Sequence, residues 1–284
     1  DWISGARIRT LPLAFAPVAI GSGAAALTDQ FKAPVALLCL VVALALQIGV
    51  NYSNDYSDGI RGTDNYRVGP ARLTGSGAAD PKKVLAVALA FFALSAVAGV
   101  IIVILTSAWW MLAIGAVAIV AAWFYTGGRR PYGYAGLGEV MVFIFFGLVA
   151  TVGTTFVQTG AFSQESLFGG IGIGLISCAV LVVNNIRDIE TDKLAGKKTL
   201  AVRMGRTPSA VLFCFLMILP FGIVIYFGLF YSAAFLTLFA LLAALPACLI
   251  TLTAKTPQEY ILALKLSSLT GLLYGLGLAF AFFG

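Results

Sequence analysis

The segment 34–64, PVALLCLVVALALQIGVNYSNDYSDGIRGTD, joins a long apolar run to a cluster of acidic and amide side chains. A helix needs about 20 apolar residues to cross a bilayer core ~30 Å thick. The run before Asn51 is close to that length, and the polar residues follow at the point where such a helix would leave the lipid. The segment therefore predicts a membrane-spanning helix that ends in a polar site.

The whole chain has the composition of a protein buried in lipid. Hydrophobic residues make up 60% of its 284 residues and charged residues only 11%, which leaves too little polar surface to cover a soluble globule. Histidine is absent, which excludes histidine metal ligands and any mechanism with an imidazole base. The formal net charge of +6 does not form a basic domain, so no nucleic-acid partner is expected.

The length criterion predicts an all-α polytopic membrane protein with nine transmembrane helices around a central cavity. The predicted spans lie at 11–27, 34–53, 84–105, 109–126, 137–157, 167–186, 209–228, 232–253 and 261–283. Nine spans place the two termini on opposite sides of the bilayer. Residues 1–284 are expected to form a single membrane domain.

The basic residues indicate how the chain is oriented in the membrane. All of the 18 Lys and Arg residues except Lys32 fall on one side of the nine-span topology. By the positive-inside rule that side is cytoplasmic. We therefore expect a cytoplasmic N-terminus, an external C-terminus and two long charged cytoplasmic loops, 54–83 and 187–208, in which function should concentrate.

The first of two acidic segments follows the second predicted span. Asn54 and Asp58 are four residues apart and share one helical face if the helix continues through them. Asp55 lies beside Asn54, and Asp64 comes after glycines at 59 and 62 that loosen the backbone. These side chains are candidate oxygen ligands for a metal ion.

The second acidic segment follows the sixth predicted span. Asn184, Asp188 and Asp192 recur every four residues and form a stripe of oxygen ligands. Like charges at this spacing repel each other unless a cation or partner lies between them. Mg²⁺ prefers such oxygen ligands and completes its shell with water and substrate phosphate. We predict that both segments flank one diphosphate through bridging Mg²⁺; the simpler interpretation is a set of solvated loop acids.

Basic side chains near the acids are candidates for charge-assisted hydrogen bonds to phosphate oxygens. The candidates are Arg72, Arg129, Arg187, Lys193 and Lys198. The glycine-rich turn that contains Arg72 is expected to act as a lid, because its glycines permit a close approach to substrate.

These residues and their order resemble the UbiA-type intramembrane aromatic prenyltransferases. Members of that family carry an N-D-x-x-D motif after the second helix and a D-x-x-x-D motif after the sixth. The motifs match Asn54, Asp55 and Asp58, and then Asp188 and Asp192. The resemblance covers nearly the whole chain.

Finer features are similar to the MenA-type branch of that family, which prenylates 1,4-dihydroxy-2-naphthoate. The similar stretches are 7–12, 67–73, 125–128, 138–147 and 184–205. The amino-acid sequence of 54–64 resembles that of actinobacterial members. One position departs from the common family form, in which the first motif has an acid eight residues after its asparagine. Here that position is Gly62, and the acid appears at Asp64.

The resemblance implies a Mg²⁺-dependent enzyme that uses a polyprenyl diphosphate. In the MenA-type branch the polyprenyl group goes to 1,4-dihydroxy-2-naphthoate with loss of CO₂ and diphosphate, giving a demethylmenaquinone for menaquinone synthesis. Asn54, Asp58, Asp188 and Asp192 would act on the diphosphate. Tyr125 is a candidate to face the allylic cation, and an interfacial tyrosine is the alternative. Within the family, the main alternative acceptors are 4-hydroxybenzoate and homogentisate.

Two other classes of membrane protein fit the sequence less well. A transporter or channel would carry paired charges near the middle of the membrane, whereas the acids here cluster at helix ends on one side. A phosphatidyltransferase would be expected to have one compact acidic motif, whereas the two segments here lie four predicted spans apart. A prenyltransferase is therefore the preferred class.

Overall fold

The computed structural model describes residues 2–63 and 72–284, so Asp64 and Arg67 lie outside the described residues. The described part is helical and contains no strand, which confirms the all-α prediction. The helices are α1 (Trp2–Gly5), α2 (Pro12–Ala26), α3 (Ala33–Ile60), α4 (Pro81–Thr106), α5 (Met111–Phe124), α6 (Gly138–Val142), α7 (Ala150–Thr159), α8 (Gln164–Arg187), α9 (Ile189–Leu194), α10 (Leu200–Met204), α11 (Arg206–Ile218), α12 (Pro220–Gly228), α13 (Leu241–Thr253) and α14 (Pro257–Phe283).

The chain is a multi-pass membrane protein, but the count of nine spans is not confirmed. Seven helical stretches of the described residues are long and apolar enough to cross a membrane, or eight if Trp2–Thr10 and α2 form one bent span. The predicted span 109–126 forms only the 14-residue helix α5, which is shorter than the ~20 residues that a full crossing needs.

The N-terminal segment Trp2–Thr10 meets α2 at an angle of 47°. Arg7 lies near this break with φ 53° and ψ 56°, a left-handed conformation that few non-glycine residues adopt. Helix α3 holds the segment in place. Asn51 donates a hydrogen bond to the carbonyl oxygen of Ala6 at 2.9 Å. The Tyr52 hydroxyl donates to the carbonyl oxygen of Trp2 at 2.7 Å. The side chain of Arg7 consequently lines the central cavity.

Helix α8 lies at the centre of the bundle. In its most apolar 18-residue stretch, 72% of the residues are buried, which is the largest share among the candidate spans. It packs against α2, α11, α14 and the π-helical stretch Phe143–Val149 that joins α6 to α7. Glycines permit this last contact, because a Cβ on Gly147 would lie 2.7 Å from the carbonyl oxygen of Gly170 and from Cα of Gly174. The central helix therefore carries the second acidic segment to the middle of one end of the bundle.

The two acidic segments differ in local structure. Helix α3 extends past the predicted limit of residue 53 to Ile60, so the helix does continue through the first segment. The second segment is not one continuous helix. Helix α8 ends at Arg187, Asp188 forms a junction with φ −98° and ψ 8°, and α9 begins at Ile189. The predicted stripe is thus divided between two helices at Asp188.

Candidate functional site

A cavity of about 580 Å³ lies among α2, α3, α4, α5, α8 and the π-helical stretch. Both acidic segments line its polar end, through Asn54, Asp58, Asn184, Asp188 and Asp192. Its body is mainly apolar and continues toward the opposite ends of the helices, where it is lined by residues such as Val100, Val103, Met111, Ile114 and Val157. The cavity therefore joins one charged end to a long apolar interior.

Asp58 is contacted by three side chains at the polar end. Its Oδ1 accepts a hydrogen bond from the Tyr134 hydroxyl at 2.5 Å. Its Oδ2 lies 3.3 Å from Lys197 Nζ and 3.7 Å from an Arg72 terminal nitrogen. The residue is only 2% exposed, so these partners offset the loss of water around its charge.

Asp55, a predicted metal ligand, binds the backbone of the chain that follows the first acidic segment. Both of its carboxylate oxygens accept backbone N–H groups, from Leu73 at 2.9 Å and from Thr74 at 2.8 Å. Asp55 is 1% exposed and does not line the cavity. The structure thus makes Asp55 an anchor of the chain that follows the first acidic segment, and this anchor places Arg72 beside Asp58.

The amide of Asn54 is held in place by the end of α5. Its Oδ1 accepts a hydrogen bond from the Thr126 hydroxyl at 2.6 Å. Arg61, just past the end of α3, donates to the backbone oxygens of Thr126 and Gly128. These bonds tie the first acidic segment to the loop after α5.

Arg187 holds the start of the second segment and does not line the cavity. It makes a bidentate pair with Asp188, with nitrogen-to-oxygen distances of 2.7 and 2.6 Å, and it also donates to Asn184 Oδ1 at 2.9 Å. Its side chain is fully buried, and its Nη1 has no hydrogen-bond partner in the described part of the chain. Arg187 therefore orients two candidate ligands instead of facing the cavity as predicted.

The cap of α9 positions Lys197. The backbone N–H of Lys197 donates to the Asp192 carbonyl at 2.8 Å, and the N–H of Gly196 donates to the Lys193 carbonyl at 3.1 Å. This is the Schellman pattern, which reverses the chain through a left-handed glycine, and Gly196 has φ 71°. The Lys197 ammonium consequently returns over the last turn and lies 3.7 Å from Asp192 Oδ1.

Tyrosines from the loop after α5 complete the polar end. Tyr125 lines the cavity, as predicted, and its ring meets that of Tyr132 at a centroid distance of 5.5 Å. Burial raises the pKa of Tyr132 to about 12. Burial and the nearby Asp58 charge raise the pKa of Tyr134 as well. Both hydroxyls therefore stay protonated near neutral pH and act as hydrogen-bond donors.

The structure does not bring three of the predicted phosphate-binding residues to the cavity. Arg129 and Lys198 are exposed and do not line it. Lys193 is also exposed, and it pairs with Glu190 at 3.4 Å on the outer face of α9. Of the five predicted basic residues, Arg72 alone lines the cavity.

Lys197, Tyr134 and Thr126 were not among the predicted site residues. The glycine that ends α9 is a sequence signal for a chain reversal, and it would have favoured Lys197 over Lys193. Tyr134 and Thr126 lie in a loop without a regular period, so spacing gives no comparable signal for them.

The loops at this end of the bundle are joined to one another. The Lys198 N–H donates to the Tyr134 carbonyl at 2.8 Å, and Arg203 donates to the Ala135 carbonyl at 2.8 Å. Together with the Arg61 bonds, they connect the end of α3, the loop after α5 and the chain around α10. The expectation that both acidic segments lie on one side of the bundle is consistent with these contacts.

The polar end has a donor set that fits Mg²⁺. Mg²⁺ is usually held by one or two carboxylates, together with waters and substrate phosphates. Asp58 and Asp192 both lie within 4 Å of Lys197 Nζ, so the two carboxylates are close enough to share one cation. Residues 2–63 and 72–284 contain no group of three acidic, Cys or His side chains that could hold a metal by themselves.

The profile of the UbiA prenyltransferase family matches residues 14–268. A 1,4-dihydroxy-2-naphthoate octaprenyltransferase of Mycobacterium tuberculosis is 51% identical over 254 residues, which cover 89% of this chain and 82% of that protein. The Mycobacterium leprae protein of the same name is 54% identical over 205 residues, with coverage of 72% and 69%. A solved UbiA homolog from Archaeoglobus fulgidus, bound to GPP and Mg²⁺, is 15% identical, with a TM-score of 0.67 and 99% of each chain covered, which shows a shared fold.

Proposed function

The chain belongs to the UbiA prenyltransferase family, and on that basis we propose that it transfers a polyprenyl group from a polyprenyl diphosphate to 1,4-dihydroxy-2-naphthoate. The observation that carries the proposal is the cavity, which joins the two acidic segments to a long apolar interior. A polyprenyl diphosphate has the same division between a charged head and an apolar chain. The acceptor is supported by the names of the mycobacterial relatives.

In this proposal, the polar end of the cavity binds the diphosphate. Bound Mg²⁺ supplies positive charge that stabilises the departing diphosphate. Asp58 and Asp192 would hold the metal together with substrate phosphate, and Asn54, Asn184 and Asp188 line the same end of the cavity as further candidate ligands. Arg72 and Lys197 add fixed positive charge where negative charge develops as the allylic C–O bond breaks.

The reaction needs no base, because CO₂ and not a proton leaves the ring carbon that is prenylated. The electron pair of the C–O bond leaves with the diphosphate, and the naphthoate carbon that bears the carboxylate attacks the allylic carbon. The bond between that ring carbon and the carboxylate then breaks and CO₂ leaves. The electron pair of the broken bond stays with the ring and restores its aromaticity. The immediate product is the quinol form of a demethylmenaquinone. Tyr125 lines the cavity, and its ring provides a surface for the allylic cation.

The acceptor is tested by a competition assay. Purified protein in lipid, supplied with a polyprenyl diphosphate, Mg²⁺ and equal amounts of the candidate acceptors, is expected to prenylate 1,4-dihydroxy-2-naphthoate. Mass spectrometry of the extracted lipids identifies the product. Prenylation of 4-hydroxybenzoate or homogentisate, with none of the naphthoate, would show that the protein acts on another acceptor of the same family.

We also propose that residues 1–284 form one domain and that its polar end faces the cytoplasm. The basic residues gathered at that end support this orientation through the positive-inside rule. The N-terminus is then cytoplasmic and the C-terminus external.

Cysteine labelling tests the orientation. In a variant that lacks the native cysteines, Ser76→Cys and Thr207→Cys should both react with a membrane-impermeant maleimide only from the cytoplasmic side, because both positions are exposed near the polar end. Ser107→Cys, which is exposed at the opposite end of α4, should react only from outside. Labelling of positions 76 and 207 from different sides would contradict the shared diphosphate site.

A further inference from the structure

The ammonium of Lys197 lies between the two acidic segments. Its Nζ is 3.3 Å from Asp58 Oδ2 on α3 and 3.7 Å from Asp192 Oδ1 on α9. The Lys197 side chain is only 14% exposed, and the two carboxylate side chains are 3% and 11% exposed. A cation that bridged these two carboxylates would need the space that this ammonium occupies.

The fold gives the ammonium a defined position. The Schellman cap returns the backbone of Lys197 to Asp192, as described above. The Tyr134 ring lies on another side, with its centroid 4.6 Å from Lys197 Nζ, in the geometry of a cation–π contact. The Tyr134 hydroxyl also donates to Asp58, so the same tyrosine fixes both the ammonium and one of its carboxylates.

Lys197 differs from Arg187 in how it could respond to a ligand. The Arg187 side chain is fully buried and does not line the cavity, whereas Lys197 lines it. A lysine ammonium is a compact charge on a flexible stem, so it can turn toward a new anion without disturbing the backbone. A diphosphate at the polar end would offer such an anion.

We propose that Lys197 competes with a divalent cation for Asp58 and Asp192 and leaves these carboxylates only when a diphosphate arrives. The inference rests on the proposed diphosphate site. The ammonium repels a divalent cation that approaches Asp58 and Asp192 alone. With a diphosphate bound, the ammonium would turn to the phosphate oxygens, and Asp58 and Asp192 would then be available to hold the metal. Divalent metal and prenyl diphosphate therefore bind cooperatively, and Lys197 creates that coupling.

Two binding measurements test the role of Lys197. The first titrates Mn²⁺ into substrate-free protein in lipid nanodiscs and follows free Mn²⁺ by electron paramagnetic resonance. The second measures binding of an unreactive polyprenyl thiolodiphosphate at saturating Mg²⁺ by calorimetry. Lys197→Met should bind Mn²⁺ alone about 10-fold more tightly and the thiolodiphosphate about 10-fold more weakly, within the ~5–150-fold range of typical couplings between sites.

Two control variants separate this role from general charge effects. Lys193→Met removes a lysine on the exposed face of α9, so it should change neither affinity. Lys197→Arg keeps the positive charge, so it should retain the weak binding of Mn²⁺ alone. Thermal unfolding of each variant reports whether the fold survives, and Lys197→Gln serves as a second neutral substitution.

The outcomes distinguish this inference from the proposed function. If the wild type binds the thiolodiphosphate but Lys197→Met leaves the affinity for Mn²⁺ unchanged or lower, Lys197 does not compete with the metal. The proposed diphosphate site would then still stand. If the wild type does not bind the thiolodiphosphate at saturating Mg²⁺, both are wrong. If both neutral substitutions unfold the protein, the ammonium is a structural counter-ion and the inference fails.

Discussion

Asp192→Asn is expected to lower the rate of prenyl transfer by about 10²–10³-fold, the typical loss when one element of charge stabilisation is removed from a catalytic site. The substitution preserves the shape of the side chain and removes the charge that a hard cation requires. Asp58→Asn and Asp188→Asn should have effects of the same size, because all three acids line the polar end of the cavity. The measurement is the initial rate of product formation in lipid at saturating Mg²⁺.

Two amide substitutions outside the site serve as controls. Asp80 caps α4 by accepting the Lys82 N–H at 2.8 Å, and asparagine caps a helix about as well as aspartate. Glu165 lies at the opposite end of α8, where it accepts the Tyr231 hydroxyl at 3.0 Å. Asp80→Asn and Glu165→Gln should remain active. Near-wild-type rates in Asp188→Asn or Asp192→Asn, or an equal loss in the controls, would show that the acids have no specific catalytic role.

Arg187→Met is expected to lower the free energy of unfolding by about 3–5 kcal/mol, the usual cost of removing one partner from a buried ion pair. The guanidinium is fully buried and binds Asp188 through two nitrogens, so its loss removes the bidentate partner of a largely buried carboxylate. Denaturant or thermal unfolding in detergent, followed by circular dichroism, measures the change.

Lys193→Met is the matched control for Arg187. Lys193 and Glu190 form a pair on the surface of α9, with side chains 51% and 72% exposed, and such pairs contribute at most about 1 kcal/mol. The double variant Arg187→Met/Asp188→Asn should recover much of the lost stability, because the carboxylate charge is removed as well. Equal destabilisation by the Arg187 and Lys193 substitutions would contradict a structural role for the buried pair.

The helices of this protein were largely predictable because lipid imposes one length on every span. The predicted segment 137–157 corresponds to the helical stretch Gly138–Thr159, and 232–253 corresponds to Ser232–Thr253. The same rule could not foresee the bend near Arg7. That bend depends on hydrogen bonds from α3, and a count of apolar residues contains no information about them.

The cavity-lining residues of the first acidic segment were predictable from helical periodicity, with Asp55 as the exception. Asn54 and Asp58 are one helical turn apart and do line the same cavity. Asp55 follows Asn54 directly, so it points about 100° away around a helix of 3.6 residues per turn. Its carboxylate accordingly faces Leu73 and Thr74 instead of the cavity. Helical geometry alone would have separated Asp55 from the other acids.

The basic residues were less predictable because charge patterning indicates a side of the membrane but not the direction of a side chain. Lys193 and Lys197 are only four residues apart. The first lies on the exposed face of α9, and the second returns over Asp192 through the glycine cap. The choice between them depends on where α9 ends, and the predicted stripe of Asn184, Asp188 and Asp192 does not specify that end.

The most direct test of the proposed function is the stoichiometry of CO₂ release. Purified protein in lipid is given carboxyl-labelled 1,4-dihydroxy-2-naphthoate and a polyprenyl diphosphate, with Mg²⁺ or with EDTA. We expect one CO₂ and one diphosphate for each prenylated naphthalenediol formed in Mg²⁺, and no turnover in EDTA until Mg²⁺ is restored. A prenylated product that keeps its carboxylate, or the same rate of turnover in EDTA, would contradict metal-assisted prenyl transfer with decarboxylation.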